Sequence, residues 1–208
     1  MEGVFWGAKA FNQPVGSWDV SNVTSFAIMF METENFNQDL SHWDTSKATN
    51  MSHTFYQALA FNQDIGSWDV GHVTNMNYMF DYAAAFNNGG SDSINGWNTA
   101  NATTMERMFH QASAFNQNIG GWNMANVVNM KNMFNGATVF NNGGSSSIGS
   151  WNTANVTSME YVFESAAAFN QNIGGWNMSH VTSLHRMFRE AASFNNGGSS
   201  SINTWDTS

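Results

Sequence analysis

Residues 61–85 read FNQDIGSWDVGHVTNMNYMFDYAAA, and most of the chain is a variation on them. Phe-Asn pairs open such units at Phe11, Phe36, Phe61, Phe86, Phe115, Phe140, Phe169 and Phe194, spaced by 25 or 29 residues. Each unit then carries an apolar residue three positions before a tryptophan, in a series running from Trp18, Trp43 and Trp68 through Trp97, Trp122, Trp151 and Trp176 to Trp205. A fixed period of this length marks units that bury their apolar faces on one another. The 208 residues are therefore read as one repeat domain. It comprises a partial leading coil 1–10, seven full coils over 11–193 and a partial coil 194–208, and it is expected to be a segment of a longer array.

Within a unit, Ile65, Trp68 and Val70 have the spacing of a short strand, Trp68 and Val70 pointing the same way at period two. Val73, Met76, Met79, Phe80 and Ala83 follow at spacings that place them on one face of a short helix. Thr74 and Asn75 precede that run, and such residues favour helix starts because their side-chain oxygens accept from unpaired backbone N–H groups. Thr103 with Glu106 and Thr157 with Glu160 have capping-box spacing. The expected fold is an α/β repeat solenoid with one short parallel strand and one short helix per 25- or 29-residue coil. Stacking would set Trp on Trp and Phe on Phe. The asparagine after each opening Phe, Asn12 and Asn37 through Asn195, suits a buried ladder, since an amide both donates and accepts.

The pattern Ile65-x-x-Trp68-x-Val70-x-His72 resembles the LxxLxLxxN strand of leucine-rich repeats, one residue short, with Asn at its last position in Asn22, Asn101, Asn126 and Asn155. FNQDIGSWDVGHVTNMNYMF resembles the repeat of BspA-like leucine-rich-repeat surface proteins, and the likeness recurs along the whole chain. It implies a leucine-rich-repeat-like coil on a secreted or cell-surface protein concerned with adhesion or with host and matrix binding. Lys47 in place of the strand-end Asn, and Phe26 and Leu184 in place of Met, depart from the pattern. The motif carries no catalytic residues to transfer.

Composition narrows the partners. A net charge of −9, with charged residues at 10%, provides no basic footprint for nucleic acid and none for an anionic membrane surface. The apolar runs are too short to span a bilayer, and no signal peptide is expected in MEGVFWGAKA. Without cysteine there are no disulfides, thiolate metal sites or thiol nucleophiles. A surface rich in Asn, Ser, Thr and Gly with few Lys points to an extracellular or cell-surface location.

Three features are candidate sites. The first is the row Asp19, Asp44, Asp69, Asn98, Asn123, Asn152, Asn177 and Asp206, expected on a concave sheet face among small neighbours. Its three early carboxylates, Asp19, Asp44 and Asp69, either hold a Ca²⁺ among their oxygens or stay hydrated. A flat ladder lacks the cleft that would set two carboxyl pKa values apart, so a glycosidase reading is not favoured. The second is the four-residue insert of the long units, FNNGGSDSINGW, FNNGGSSSIGSW and FNNGGSSSINTW. It places Gly89, Gly90, Gly143, Gly144, Gly197 and Gly198 in edge bulges, where glycine takes positive φ. The insert runs into a strand with no lysine following, unlike a phosphate cradle. The third is a set of sequons at Asn22, Asn50, Asn101, Asn155 and Asn177, read mainly as by-products of the repeat. Of these, Asn22, Asn101 and Asn155 occupy the strand-end position that turns inward in related repeats. No two of the six histidines have metal-ligand spacing, and no cofactor motif occurs.

The residue after the Asp/Asn row alternates Val20, Thr45, Val70, Thr99, Met124, Thr153, Met178, Thr207, which marks a two-coil unit of one short and one long repeat in the later array. The functional expectation is a non-enzymatic adhesion or binding domain for a protein or glycan. The alternatives are a structural filament or surface-layer component built from like subunits end to end and, third, ice or mineral binding by a flat face.

Overall fold

The computed structural model describes residues 1–206; Thr207, last of the alternating row, and Ser208, the final residue of coil 194–208, lie outside the described residues. The chain winds into coils that stack in sequence order, each hydrogen-bonded to the coil that follows it. The expected α/β repeat solenoid does not form. Among the described residues there is no α-helix and no strand longer than a single bridge. The named elements are 3₁₀ segments at Asn88–Gly90, Asp92–Gly96, Asn142–Gly144, Ser146–Ser150, Asn196–Gly198 and Ser200–Thr204, all in the long coils. Parallel pairing is reduced to isolated bridges from Ser25 through Asn50, Asn75, Thr104, Asn129 and Ser158 to Ser183, at positions the sequence assigned to helix starts.

The physical reason lies in where the N–H groups go. In an α-helix every N–H returns to the carbonyl four residues back. Over residues 76–83 the N–H groups of Met76, Tyr78, Phe80 and Tyr82 instead leave the coil, donating to the carbonyls of Thr104, Glu106, Met108 and His110 at 3.2, 2.8, 2.9 and 2.8 Å. The intervening N–H groups close turns within the coil, Met79 to Met76, Asp81 to Tyr78 and Ala83 to Phe80. Tyr78 and Tyr82 both have φ of +58°, at the third position of their turns, as type II turns require. The segment is thus a wall of chained turns with a period of four. It sends Val73, Met76, Met79, Phe80 and Ala83 inward just as a helix would, and all five are fully buried. The expected capping box at Thr103 does not form either, because Glu106 N–H is taken by Asn77 Oδ1 of the preceding coil at 2.8 Å.

The supposed strand is also made of turns. Trp68 N–H donates to Ile65 O at 3.0 Å and Val73 N–H to Val70 O at 2.9 Å, so each apolar-x-x-apolar spacing spans one turn. The same wall recurs in every coil. Its left-handed residues are mostly bulky, among them Ile28, Arg107 and Tyr161, at a cost of about 1–2 kcal/mol per residue.

Aromatic stacking offsets that cost. One phenylalanine column runs Phe11, Phe36, Phe61, Phe86, Phe115, Phe140, Phe169, Phe194 with centroids 5.8–6.0 Å apart. A second runs from Phe5 through Phe30 and Phe55 to Phe188, and the two touch where each coil passes into the next, as at Phe80 and Phe86, 3.9 Å apart. Each fully buried ring contributes about 1.5–3 kcal/mol. The tryptophans depart from expectation: they stack in pairs, Trp43 with Trp68, Trp97 with Trp122 and Trp151 with Trp176. Each indole N–H of these six donates to a backbone carbonyl of the preceding coil, as Trp122 does to Ile94 O at 2.9 Å. The alternating threonines Thr45, Thr99 and Thr153 point inward and donate to the carbonyls of Asp69, Asn123 and Asn177 in the next coil.

Candidate functional site

The Asp/Asn row is exposed along its whole length, but no sheet carries it. From Asp19 to Asn177 each member performs the same local task. Its Oδ1 accepts the N–H two residues on: Asp19 from Ser21 at 3.0 Å, Asp44 from Ser46 at 3.0 Å and Asp69 from Gly71 at 2.8 Å. Asn98, Asn123, Asn152 and Asn177 accept likewise from Ala100, Ala125, Ala154 and Ser179. These are Asx turns, for which Asp and Asn are equally suited. The Ser21 hydroxyl and then its N–H hold the Asp19 carboxyl below its ordinary range, and Ser46 does the same for Asp44. Among the described residues no three His, Cys, Asp or Glu side chains converge as a metal site would. Asp19, Asp44 and Asp69 each stand in a separate turn.

The glycine inserts are exposed as expected, with left-handed backbone at Gly89, Gly143 and Gly197 (φ +62°, +59°, +61°) and at Gly90, Gly144 and Gly198. The asparagine before each pair is left-handed too, and it was not singled out from the sequence. Asn88, Asn142 and Asn196 are buried, and their Oδ1 atoms accept the N–H groups of Ile65, Ile119 and Ile173 in the preceding coil at 3.0, 2.9 and 2.9 Å. A second contact reinforces this one. Ser93, Ser147 and Ser201 donate to Asp64, Asn118 and Asn172 at 2.7, 2.9 and 2.8 Å. A Cβ on Gly66, Gly120 or Gly174 would collide with those serines, so the short coil before each insert has glycine there. The insert therefore latches a long coil onto the short coil before it. Beside the first latch, Asp39, Ser41, Gln63, Asp64, Gly66, Ser67 and Ser93 line an open hollow of about 640 Å³.

The asparagine ladder forms, although it is half-exposed rather than buried. Asn12, Asn37, Asn62, Asn87, Asn116, Asn141 and Asn170 each accept through Oδ1 from the backbone N–H of the next Asn in the row, as Asn62 does from Asn87 at 2.8 Å. The strand-end asparagines do not turn inward. Asn22, Asn101 and Asn155 are exposed, and the Nδ2 of Asn155 donates to Ala125 O of the preceding coil at 2.7 Å.

A further cluster was missed. Asp81 is fully buried on the turn wall; its Oδ1 lies 2.6 Å from His110 Nδ1, and Arg107 stands 3.9 Å from its Oδ2, which has no hydrogen-bond partner. Around it His53 stacks on Tyr78 at 4.5 Å and Tyr82 meets His110 edge-on at 5.0 Å. Burial pushes the His53 imidazole down and the Tyr78 phenol up. The signal was available in the sequence: all four tyrosines, Tyr56, Tyr78, Tyr82 and Tyr161, fall in this one part of the repeat.

The architecture defines a tandem-repeat protein of stacked coils. The family model described as "Mycoplasma protein of unknown function, DUF285" matches residues 1–93, 91–147 and 144–208, and the chain belongs to that family. No curated protein and no solved structure matches it. Among the described residues, no helix is long and apolar enough to cross a membrane.

Proposed function

We propose that the chain is a non-enzymatic extracellular or cell-surface repeat domain, akin to the BspA-like surface proteins, that binds a protein or glycan partner. One observation carries this reading. A continuous aromatic core and coil-to-coil hydrogen bonds hold the frame, while each coil presents side chains at equivalent exposed positions. Such a frame displays an extended surface that lengthens with each repeat. The Asn-, Ser-, Thr- and Gly-rich composition and the tandem family matches support it further. The test is to expose the purified chain, at physiological Ca²⁺, to one array of extracellular-matrix and cell-surface proteins and one array of glycans. Saturable binding on either array is expected. Binding on neither would overturn the reading.

A further inference from the structure

The repeats provide an alignment of the chain against itself. Two exposed columns hardly vary: one is Asp or Asn throughout, and another reads Thr24, Thr49, Thr74, Thr103, Val128, Thr157, Thr182. The turn wall behaves differently. The residue after its core phenylalanine is Met31, Tyr56, Asp81, His110, Asn135, Glu164 and Arg189 in successive coils, with no residue used twice in register. The left-handed position before that phenylalanine is Ile28, His53, Tyr78, Arg107, Asn132, Tyr161 and Arg186.

The fold does not ask for these residues. A left-handed backbone favours Gly or Asn, and Gly136 and Asn132 show that the wall accepts both. Bulky side chains held in an unfavourable backbone conformation point to a role outside stability. The wall also gathers four of the chain's six Lys and Arg residues, Arg107, Lys131, Arg186 and Arg189, together with every tyrosine. Several of these groups touch one another, and His53 joins Tyr56 to Tyr78. Arg107 lies over the Tyr78 ring at 5.6 Å and Lys131 over the Tyr161 ring at 5.9 Å, while Tyr56 and Tyr82 meet edge-on at 6.4 Å.

We propose that this wall, centred on Tyr56, Tyr78, Tyr82 and Arg107, is the face that docks a folded protein partner; the proposal rests on the binding role above and assigns it to a surface other than the Asp/Asn row or the glycine inserts. Tyrosine and arginine are the side chains most enriched where protein interfaces concentrate their binding energy. The charges on the wall alternate in sign: Glu106 and Glu160 flank Lys131, and Arg189 is bracketed by Glu164 and Glu190. A polyanion or an anionic membrane would meet repulsion there, whereas a protein surface can match a mixed pattern.

The same two arrays test it, with the variants Tyr56→Ala/Tyr82→Ala and Asp19→Ala/Asp44→Ala/Asp69→Ala beside the wild type. The expected result is a protein target whose affinity falls about tenfold or more with the tyrosine variant and stays within about twofold with the aspartate variant. A cooperative melt confirms that each variant is folded. If the double variant does not melt cooperatively, Tyr82→Asn, which suits the left-handed backbone, is expected to weaken binding by at least about threefold. Binding to glycans only, or to a protein regardless of the tyrosines, overturns this proposal and leaves the binding role standing. Binding on neither array overturns both.

Discussion

Where short and long coils alternate, two kinds of junction hold this molecule together, and they share a frame but not a lock. Where short coil 61–85 meets long coil 86–114, Asn62 Oδ1 accepts two backbone N–H groups, from Asn87 at 2.8 Å and Gly89 at 3.0 Å. Asn88 caps Ile65, and Ser93 seats against Gly66 and Asp64. Where that long coil meets short coil 115–139, Asn87 Oδ1 takes the Asn116 N–H at 2.9 Å, and the Gln117 amide donates to Asn87 O at 3.0 Å. Trp97 and Trp122 stack across that second junction. At the first junction, then, the lock is a buried asparagine with a serine seated on glycine; at the second it is the Gln117 amide, the Thr99 hydroxyl bonded to Asn123 O, the Asn95 side chain bonded to Gly121 N–H and a pair of stacked indoles. An insertion of four residues has thus become a latch rather than a slack loop.

The sharpest way to break the contrast is to remove matching groups from each side. Asn142→Ala deprives the buried Ile119 N–H of its acceptor and is expected to cost about 2–3 kcal/mol. Gln117→Ala removes one amide hydrogen bond and is expected to cost about 1 kcal/mol. Urea denaturation of both variants measures the difference, and equal losses would refute the ranking. Next, Gly120→Ala puts a Cβ into Ser147 and is expected to cost about 1–3 kcal/mol. In Gly96→Ala the added carbon meets nothing within 4 Å, so thermal melts should place it within about 0.5 kcal/mol of wild type. The smallest effect concerns pH. Burial pushes the Asp64 carboxyl up, but hydrogen bonds from Ser93, Gly66, Ser91 and Asn88 outweigh it and hold the group below its ordinary range. Its contribution is therefore complete above about pH 5 and is lost as the pH falls through the depressed folded value. Asn118 and Asn172 already fill the equivalent place. Asp64→Asn should consequently match wild type in acid and fall slightly behind it near neutrality, as paired melts at pH 3 and pH 7 would show.

Much of this was legible in the sequence. The period, the inward residues, the stacking of phenylalanines, the asparagine ladder (though not its exposure) and the left-handed glycines all follow from spacing and residue type. The helix and the strand were misread for one reason. Val73, Met76, Phe80 and Ala83 face inward in a helix of period 3.6 and equally in turns of period four, and a hydrophobic pattern does not record where the N–H groups of Tyr78 and Tyr82 point. Glu106 and Asn75 resembled helix caps because the residues that satisfy a free N–H at a helix start do the same at a turn. The latch was hidden for another reason: Gly66 and Ser93 lie in different units, and the match between them appears only when two coils are superposed in space. The wall cluster left a plain compositional trace, since every tyrosine falls on this wall, but a search for repetition passes over the positions that do not repeat.

The asparagine ladder has a mechanical consequence. Its bonds, like those of the turn wall, join each coil only to its immediate neighbours, so tension applied from end to end is borne at every junction by many short hydrogen bonds acting side by side. The latched junctions, with a buried asparagine bond each, are expected to resist longer than those between a long coil and the next short one. Where short and long coils alternate, from Phe61 on, the chain is accordingly expected to yield in two-coil lengths, the offset of 54 residues from Phe115 to Phe169. Each length pays out roughly 180 Å of slack at ~3.4 Å per residue while the rest of the stack stays shut.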